Sequence, residues 1–228
     1  MESVVPIPAP PSVPVHGTSA VFPVRRIYCI GRNYADHARE MGMDPNRETP
    51  FFFGKPHDVV VPRGGDIAYP PATSNLHYEV ELVVALARGG RNIPVAEAPG
   101  CIYGYAVGID LTRRDLQAKS KEKGQPWDTA KGFDQSAPVS PITPVALCGH
   151  LDTGGIWLTV NGIEKQRGSL SQMIWSVPEV IAHISGLVAL APGDLIFTGT
   201  PAGVGPVIAG DLVRCGIDGL GELEIRLV

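Results

Sequence analysis

Charge is scarce in this chain. Asp, Glu, Lys and Arg make up 18% of 228 residues, 23 acidic against 19 basic, for a formal net charge of −4. Without a basic excess or a run of Lys and Arg, wrapping nucleic acid is excluded. Cysteine is scarce too. Cys29, Cys101, Cys148 and Cys215 lie far apart, with no CxxC pair and no zinc-finger spacing. They read as free thiols, not as a disulfide framework. No apolar run nears the ~20 residues that a membrane helix needs. The N-terminal stretch carries six prolines by Pro23, which leaves no signal-peptide core. A soluble cytoplasmic protein with neither nucleic-acid nor membrane partners is expected.

Glycine and proline, by contrast, are plentiful, at 27 and 22 residues, while 44% of the chain is hydrophobic. Many tight turns around an ample core favour a strand-dominated α+β domain. Residues 1–24 read as an extended Pro-rich arm, and residues 25–228 as one catalytic domain. Strands are expected at 25–30, 51–53, 59–61, 77–87, 102–109, 195–197, 212–215 and 223–227. Asn161-Gly162 between apolar runs marks a hairpin. Helices are expected at 33–41, capped by Asn33, and from Thr112 to about Lys123, opened by a Thr112/Asp115 capping box. A third should open at the Ser176/Glu179 box, with Pro178 inside it.

Three features carry chemistry. In His77-Tyr78-Glu79-Val80-Glu81-Leu82, period-two alternation puts His77, Glu79 and Glu81 on one strand face, the two carboxylates ~7 Å apart. Asp110 ends an apolar strand, where a carboxylate is costly unless it is paired or binds metal. An all-carboxylate set suits Mg²⁺, Mn²⁺ or Ca²⁺ rather than Zn²⁺; an outward-facing Glu pair on a half-exposed strand is the alternative. Val83 breaks the alternation, which points to burial of both strand faces. His37 and Glu40, i and i+3 on a helix, suit a water-activating base steadied by a carboxylate, or an ordinary surface face. Thr198-Gly199-Thr200-Pro201-Ala202-Gly203 is neither a phosphate loop nor a dinucleotide fingerprint. Its N–H and hydroxyl groups could receive a carboxylate, or simply form a turn.

Taken in order, these segments resemble the fumarylacetoacetate hydrolase family. The matching stretches are Gly31-Arg32-Asn33-Tyr34-Ala35-Asp36-His37, Lys55-Pro56, His77 to Leu82, and Asp110 to Gln117. Ala130-Lys131-Gly132-Phe133, Ser171 to Ile174 and Thr198 to Gly205 complete the set. Val15-His16-Gly17 through Tyr28 is similar to the fumarylpyruvate hydrolase branch. The resemblance implies a mixed β-sandwich roll with a few short helices, and a homodimer. It implies Glu79, Glu81 and Asp110 as ligands of Mg²⁺ or Mn²⁺, and His37 with Glu40 as the dyad on a closing segment. Lys131 would be catalytic at the oxyanion, with Arg32, Arg114, Gln117 and Thr200 contacting substrate. The implied activity is hydrolytic C–C cleavage of a 2,4-diketo acid, fumarylpyruvate to fumarate and pyruvate, as in gentisate breakdown. The same family includes acylpyruvate hydrolysis, oxaloacetate decarboxylation and hydroxymuconate-type isomerisation or decarboxylation. Specificity among them is assigned to the lid from Met41 to Phe53. A non-catalytic metal-binding or interaction protein would be expected to lack part of the acid set or the dyad, and both are present.

Overall fold

The computed structural model describes residues 3–6, 8–40 and 48–228. Strands dominate, as expected. An eight-stranded sheet runs in the order Phe51–Lys55, Arg26–Gly31, Asp194–Phe197, Val80–Leu86, Ile102–Ile109, Ala137–Val139 and Val60–Pro62, with Thr143–Pro144 also on Ile102–Ile109. The sheet is mixed. Asp194–Phe197 runs parallel to Arg26–Gly31, and Ala137–Val139 parallel to Val60–Pro62. A five-stranded sheet (Ile163–Ser169, Gly155–Val160, Leu212–Ile217, Gly221–Leu227, Gly65–Ile67) packs across it. Leu82, Val84 and Val107 from one sheet share a core with Leu158, Val213 and Ile225 from the other. Each such side chain, fully buried, contributes roughly 1.5–3 kcal/mol against the entropy of ordering.

Both faces of Val80–Leu86 are buried. Val80, Leu82, Val84 and Leu86 enter the inter-sheet core, while Val83 and Ala85 enter a second cluster with Val13, Phe22 and Ile27. That explains the broken alternation at Val83. The second cluster also engages the N-terminal stretch read as an extended arm. Ser12–Pro14 pairs antiparallel with Val21–Pro23, and Val13, Val15, Phe22 and Val24 are buried against the rest of the chain.

Local signals held where their partners are local. Asn161 and Gly162 turn the hairpin with φ of 51° and 79°, a conformation Asn and Gly tolerate. Ser176 N–H donates to Glu179 Oε2 at 2.9 Å, opening the helix Val177–Leu187. Other signals yielded to long-range contacts. The strand expected at 77–87 is two strands, Leu76–Tyr78 and Val80–Leu86, because the chain leaves a small third sheet and joins the large one at Glu79. At 59–61, His57–Val59 forms a 3₁₀ turn after Pro56, and pairing begins at Val60. The Thr112/Asp115 box does not form. Thr112 pairs with His77 in the third sheet and its hydroxyl donates to Asp110 O, while Asp115 accepts from Thr73 and Ser74; the helix is Arg114–Glu122.

The first helix is Ala35–Glu40, and Met41 lies outside the described residues. Asn33 does not cap it. Its amide bridges segments instead, donating to Trp175 O and Thr198 O and accepting from Trp175 N–H. No helix among the described residues is long and apolar enough to cross a membrane.

Candidate active site

The split at Glu79 builds the site. Glu79 sits at the corner between two sheets, Glu81 follows on Val80–Leu86, and Asp110 leaves the neighbouring strand Ile102–Ile109, with its N–H on Glu79 O at 2.9 Å. The three carboxylates are buried, and one oxygen from each lies within 4.8 Å of the others. His77, expected on their face, is engaged elsewhere. Its Nε2 meets Asn75 and its Nδ1 accepts from Arg114 Nε at 3.3 Å, which steadies the guanidinium.

Cations hold two of the three acids. Lys131 Nζ donates to Glu79 Oε2 at 2.8 Å and to Asp110 Oδ2 at 2.7 Å; Arg114 donates to Glu79 Oε1 at 2.5 Å. Burial would raise the Glu79 pKa, but Lys131 and Arg114 outweigh it and hold the carboxyl below the usual range. Lys131 is also deeply buried, yet Asp110 and Glu79 keep its pKa above the ordinary lysine value, so it stays an ammonium. Glu81 is different. Among the described residues its Oε2 accepts just the Gly199 N–H, at 2.7 Å, and burial with the Asp110 and Glu79 charges pushes its pKa well up. The φ of +96° at Gly199, where a Cβ would meet Asn33 at 2.8 Å, is what lets that loop approach.

Lys55, which the sequence reading left without a role, sits 2.9 Å from Asp110 Oδ1, but its hydrogen bonds go to the carbonyls of Leu111, Lys131 and Ser136. Asp110 Oδ1 is therefore buried with no directed donor among the described residues. An under-neutralised Glu81, an Asp110 Oδ1 that has the Lys55 ammonium alongside but accepts no hydrogen bond among the described residues, and an all-carboxylate donor set fit a hard divalent cation. Glu79, Glu81 and Asp110 are the residues able to hold it.

Around this triad, the cavity gathers Arg32, His37, Arg114, Gln117, Lys131 and Thr200, all expected site residues, together with Phe53, Lys121, Trp127 and Gly199. Its inner space is about 40 Å³, room for a few waters. Glu40 stands behind His37: its Oε2 is 3.3 Å from His37 Nδ1, and both its oxygens accept from Gly203 N–H. A proton on Nδ1 facing the carboxylate leaves Nε2 as the acceptor. Burial holds the His37 pKa below its ordinary 6.5, only partly offset by Glu79 and Glu40. Gln117 Oε1 accepts from Arg114 at 2.7 Å, so its amide N–H groups are left to donate.

Gln166 was not foreseen, since its partners lie far away in sequence. Fully buried, it accepts from Val80 N–H at 3.0 Å and donates to Thr200 Oγ1 and Pro201 O, both at 2.8 Å. With its oxygen already accepting, the Thr200 hydroxyl keeps its own hydrogen for a ligand. Replacing Gln166→Leu strands the Val80 N–H between the two glutamates and should cost about 1–3 kcal/mol, read as a lower urea midpoint.

The fumarylacetoacetate (FAA) hydrolase C-terminal family matches residues 26–228. The chain belongs to the fumarylacetoacetate hydrolase family. A crystal structure of fumarylpyruvate hydrolase from Pseudomonas aeruginosa in complex with Mn²⁺ and pyruvate superposes with a TM-score of 0.97 at 50% identity, covering 100% of this chain and 99% of that one. Fumarylpyruvate hydrolase of Ralstonia sp is 44% identical over 185 residues, 81% of this chain and 96% of that protein. The mitochondrial oxaloacetate tautomerase FAHD1 of Mus musculus is 42% identical over 203 residues, 89% of this chain and 91% of that protein. The segment Met41–Phe53, expected to set specificity, has its first seven residues outside the described ones.

Proposed function

We propose that the protein hydrolyses a C–C bond of a 2,4-diketo acid, with fumarylpyruvate as substrate and fumarate and pyruvate as products. The observation that carries this reading is His37 on the wall of the acid-lined cavity with the Glu40 carboxylate 3.3 Å behind its Nδ1, an arrangement that favours a base with Nε2 free. Hydrolysis needs an activated water; tautomerisation or decarboxylation of oxaloacetate does not. A divalent cation held by Glu79, Glu81 and Asp110 would supply Lewis-acid stabilisation for charge building on the 2-oxo acid portion. Mn²⁺ and pyruvate in the 50%-identical Pseudomonas aeruginosa enzyme support that assignment.

The rest is done by side chains. His37 Nε2 takes a proton from water as it attacks the C4 carbonyl, and Glu40 steadies the resulting imidazolium. The tetrahedral centre then collapses with cleavage of the C3–C4 bond, releasing fumarate, and the imidazolium returns its proton to C3 of the departing enolate to give pyruvate. The Gln117 amide N–H groups donate to the oxygen at C4 as it gains charge. Lys131, committed to Glu79 and Asp110, supplies positive charge beside it. The Thr200 hydroxyl donates to the C1 carboxylate. The mitochondrial oxaloacetate tautomerase relatives favour a second reading, in which the same cradle acts on oxaloacetate.

The two readings separate in kcat/KM for fumarylpyruvate, acetylpyruvate and oxaloacetate at saturating Mn²⁺. Fumarylpyruvate should lead; oxaloacetate in first place would overturn the assignment. A second expectation concerns pH. The neutral imidazole is the working form, and burial lowers its pKa, so activity should persist below pH 6.5. It should then fall about tenfold per pH unit further down. An acid limb that begins above pH 6.5, at saturating metal, would remove His37 from the base role.

A further inference from the structure

Two cations of the cavity have no acid partner among the described residues. Arg114 and Lys131 are spent on Glu79 and Asp110, but Arg32 and Lys121 form no ion pair among the described residues. Each lies over an aromatic ring instead. Arg32 Cζ is 5.2 Å from the Phe51 centroid, and Lys121 Nζ is 5.3 Å from that of Trp127. The rings are joined, Phe51 edge-on to Trp127 at 5.5 Å and Phe53 against Trp127 at 5.6 Å. A ring face orients a cation without neutralising it, so both charges remain available to an anion.

Lys121 is costly where it stands. Burial, then the Arg114 and Arg32 charges, lower its pKa, a penalty that a bound carboxylate would relieve. Its position is not accidental to the site, since Arg114, Gln117 and Lys121 fall at i, i+3 and i+7 on the helix Arg114–Glu122 and share one face. Phe53 and Trp127 also line an adjoining trough of about 570 Å³, which would provide length for a chain. Asp128 lines only that outer trough and would repel an anion from it, leaving the inner edge as the favourable place.

We propose that Arg32 and Lys121, held on Phe51 and Trp127, form a subsite for a second carboxylate at the far end of the acyl chain. The enzyme thereby selects 2-oxo diacids over monoacids of equal length. This rests on the reading of the triad site as a 2-oxo acid cradle. The test is calorimetric binding to the Mn²⁺-loaded protein, which needs no turnover. The probes are 2-oxoheptanedioate and 2-oxoheptanoate, which differ only in the terminal carboxylate. The wild type should bind the diacid about tenfold tighter or more. In the Lys121→Met/Arg32→Gln double variant the ratio should fall to near one. Equal binding by the wild type, or a preference that survives in the double variant, would overturn the subsite. Binding of neither 2-oxo acid would count against the cradle reading itself, and the subsite would fall with it.

Discussion

His37→Ala should lower kcat for fumarylpyruvate by about 10²–10⁴-fold while changing Mn²⁺ affinity by no more than about threefold. The separation follows from where each group is anchored. The carboxylates of the triad are fixed by Lys131, Arg114 and the Gly199 N–H, whereas His37 is fixed by Glu40 on its own helix, Ala35–Glu40. Removing the imidazole takes away the proton acceptor and leaves every one of those bonds intact. Steady-state kinetics and a Mn²⁺ titration of the same preparation check it. A parallel loss of metal and turnover would mean that His37 belongs to the cation site, and the division into base and cradle would be wrong.

Glu81→Gln should do the reverse. Its pKa is raised in the folded state, so ionisation at neutral pH opposes folding. The folded protein gains from this group below the unfolded carboxyl pKa and loses that gain as pH rises through the folded one. The amide keeps the shape and removes the uncompensated charge, so the metal-free variant should melt at a higher temperature than the wild type at pH 7. Metal affinity should nevertheless fall roughly 100-fold, since a charged ligand is lost, and turnover should fall with it. Thermal melts with and without Mn²⁺ check both halves. A metal-free variant less stable than wild type, still stabilised by Mn²⁺, would show that Glu81 serves the fold and not a cation.

The same contrast explains what could be read from the chain. Asn161-Gly162 and Ser176/Glu179 were legible because donor and acceptor lie within three residues. The Thr112/Asp115 box failed because Asp115 found Thr73, 42 residues away. Every site residue drawn from the resemblance lines the cavity except Glu40, which stands behind His37. Gln166 was not legible as part of the site, and Lys55 was legible only as half of the matching Lys55-Pro56 stretch, with no role attached. Both are buried polar groups whose partners, such as Lys131 O and Val80 N–H, come into reach only when the sheets pack. Lys121 had a usable signal, its seven-residue spacing from Arg114. The strand break at Glu79 had none in local pattern, since it follows from two sheets meeting at one residue.

The measurement closest to the central claim is product analysis of fumarylpyruvate incubated with the protein, with Mn²⁺ and again after chelation. Equimolar fumarate and pyruvate, formed with metal and lost on chelation, is the predicted result. Intact fumarylpyruvate under conditions where oxaloacetate is tautomerised or yields pyruvate and carbon dioxide would contradict it.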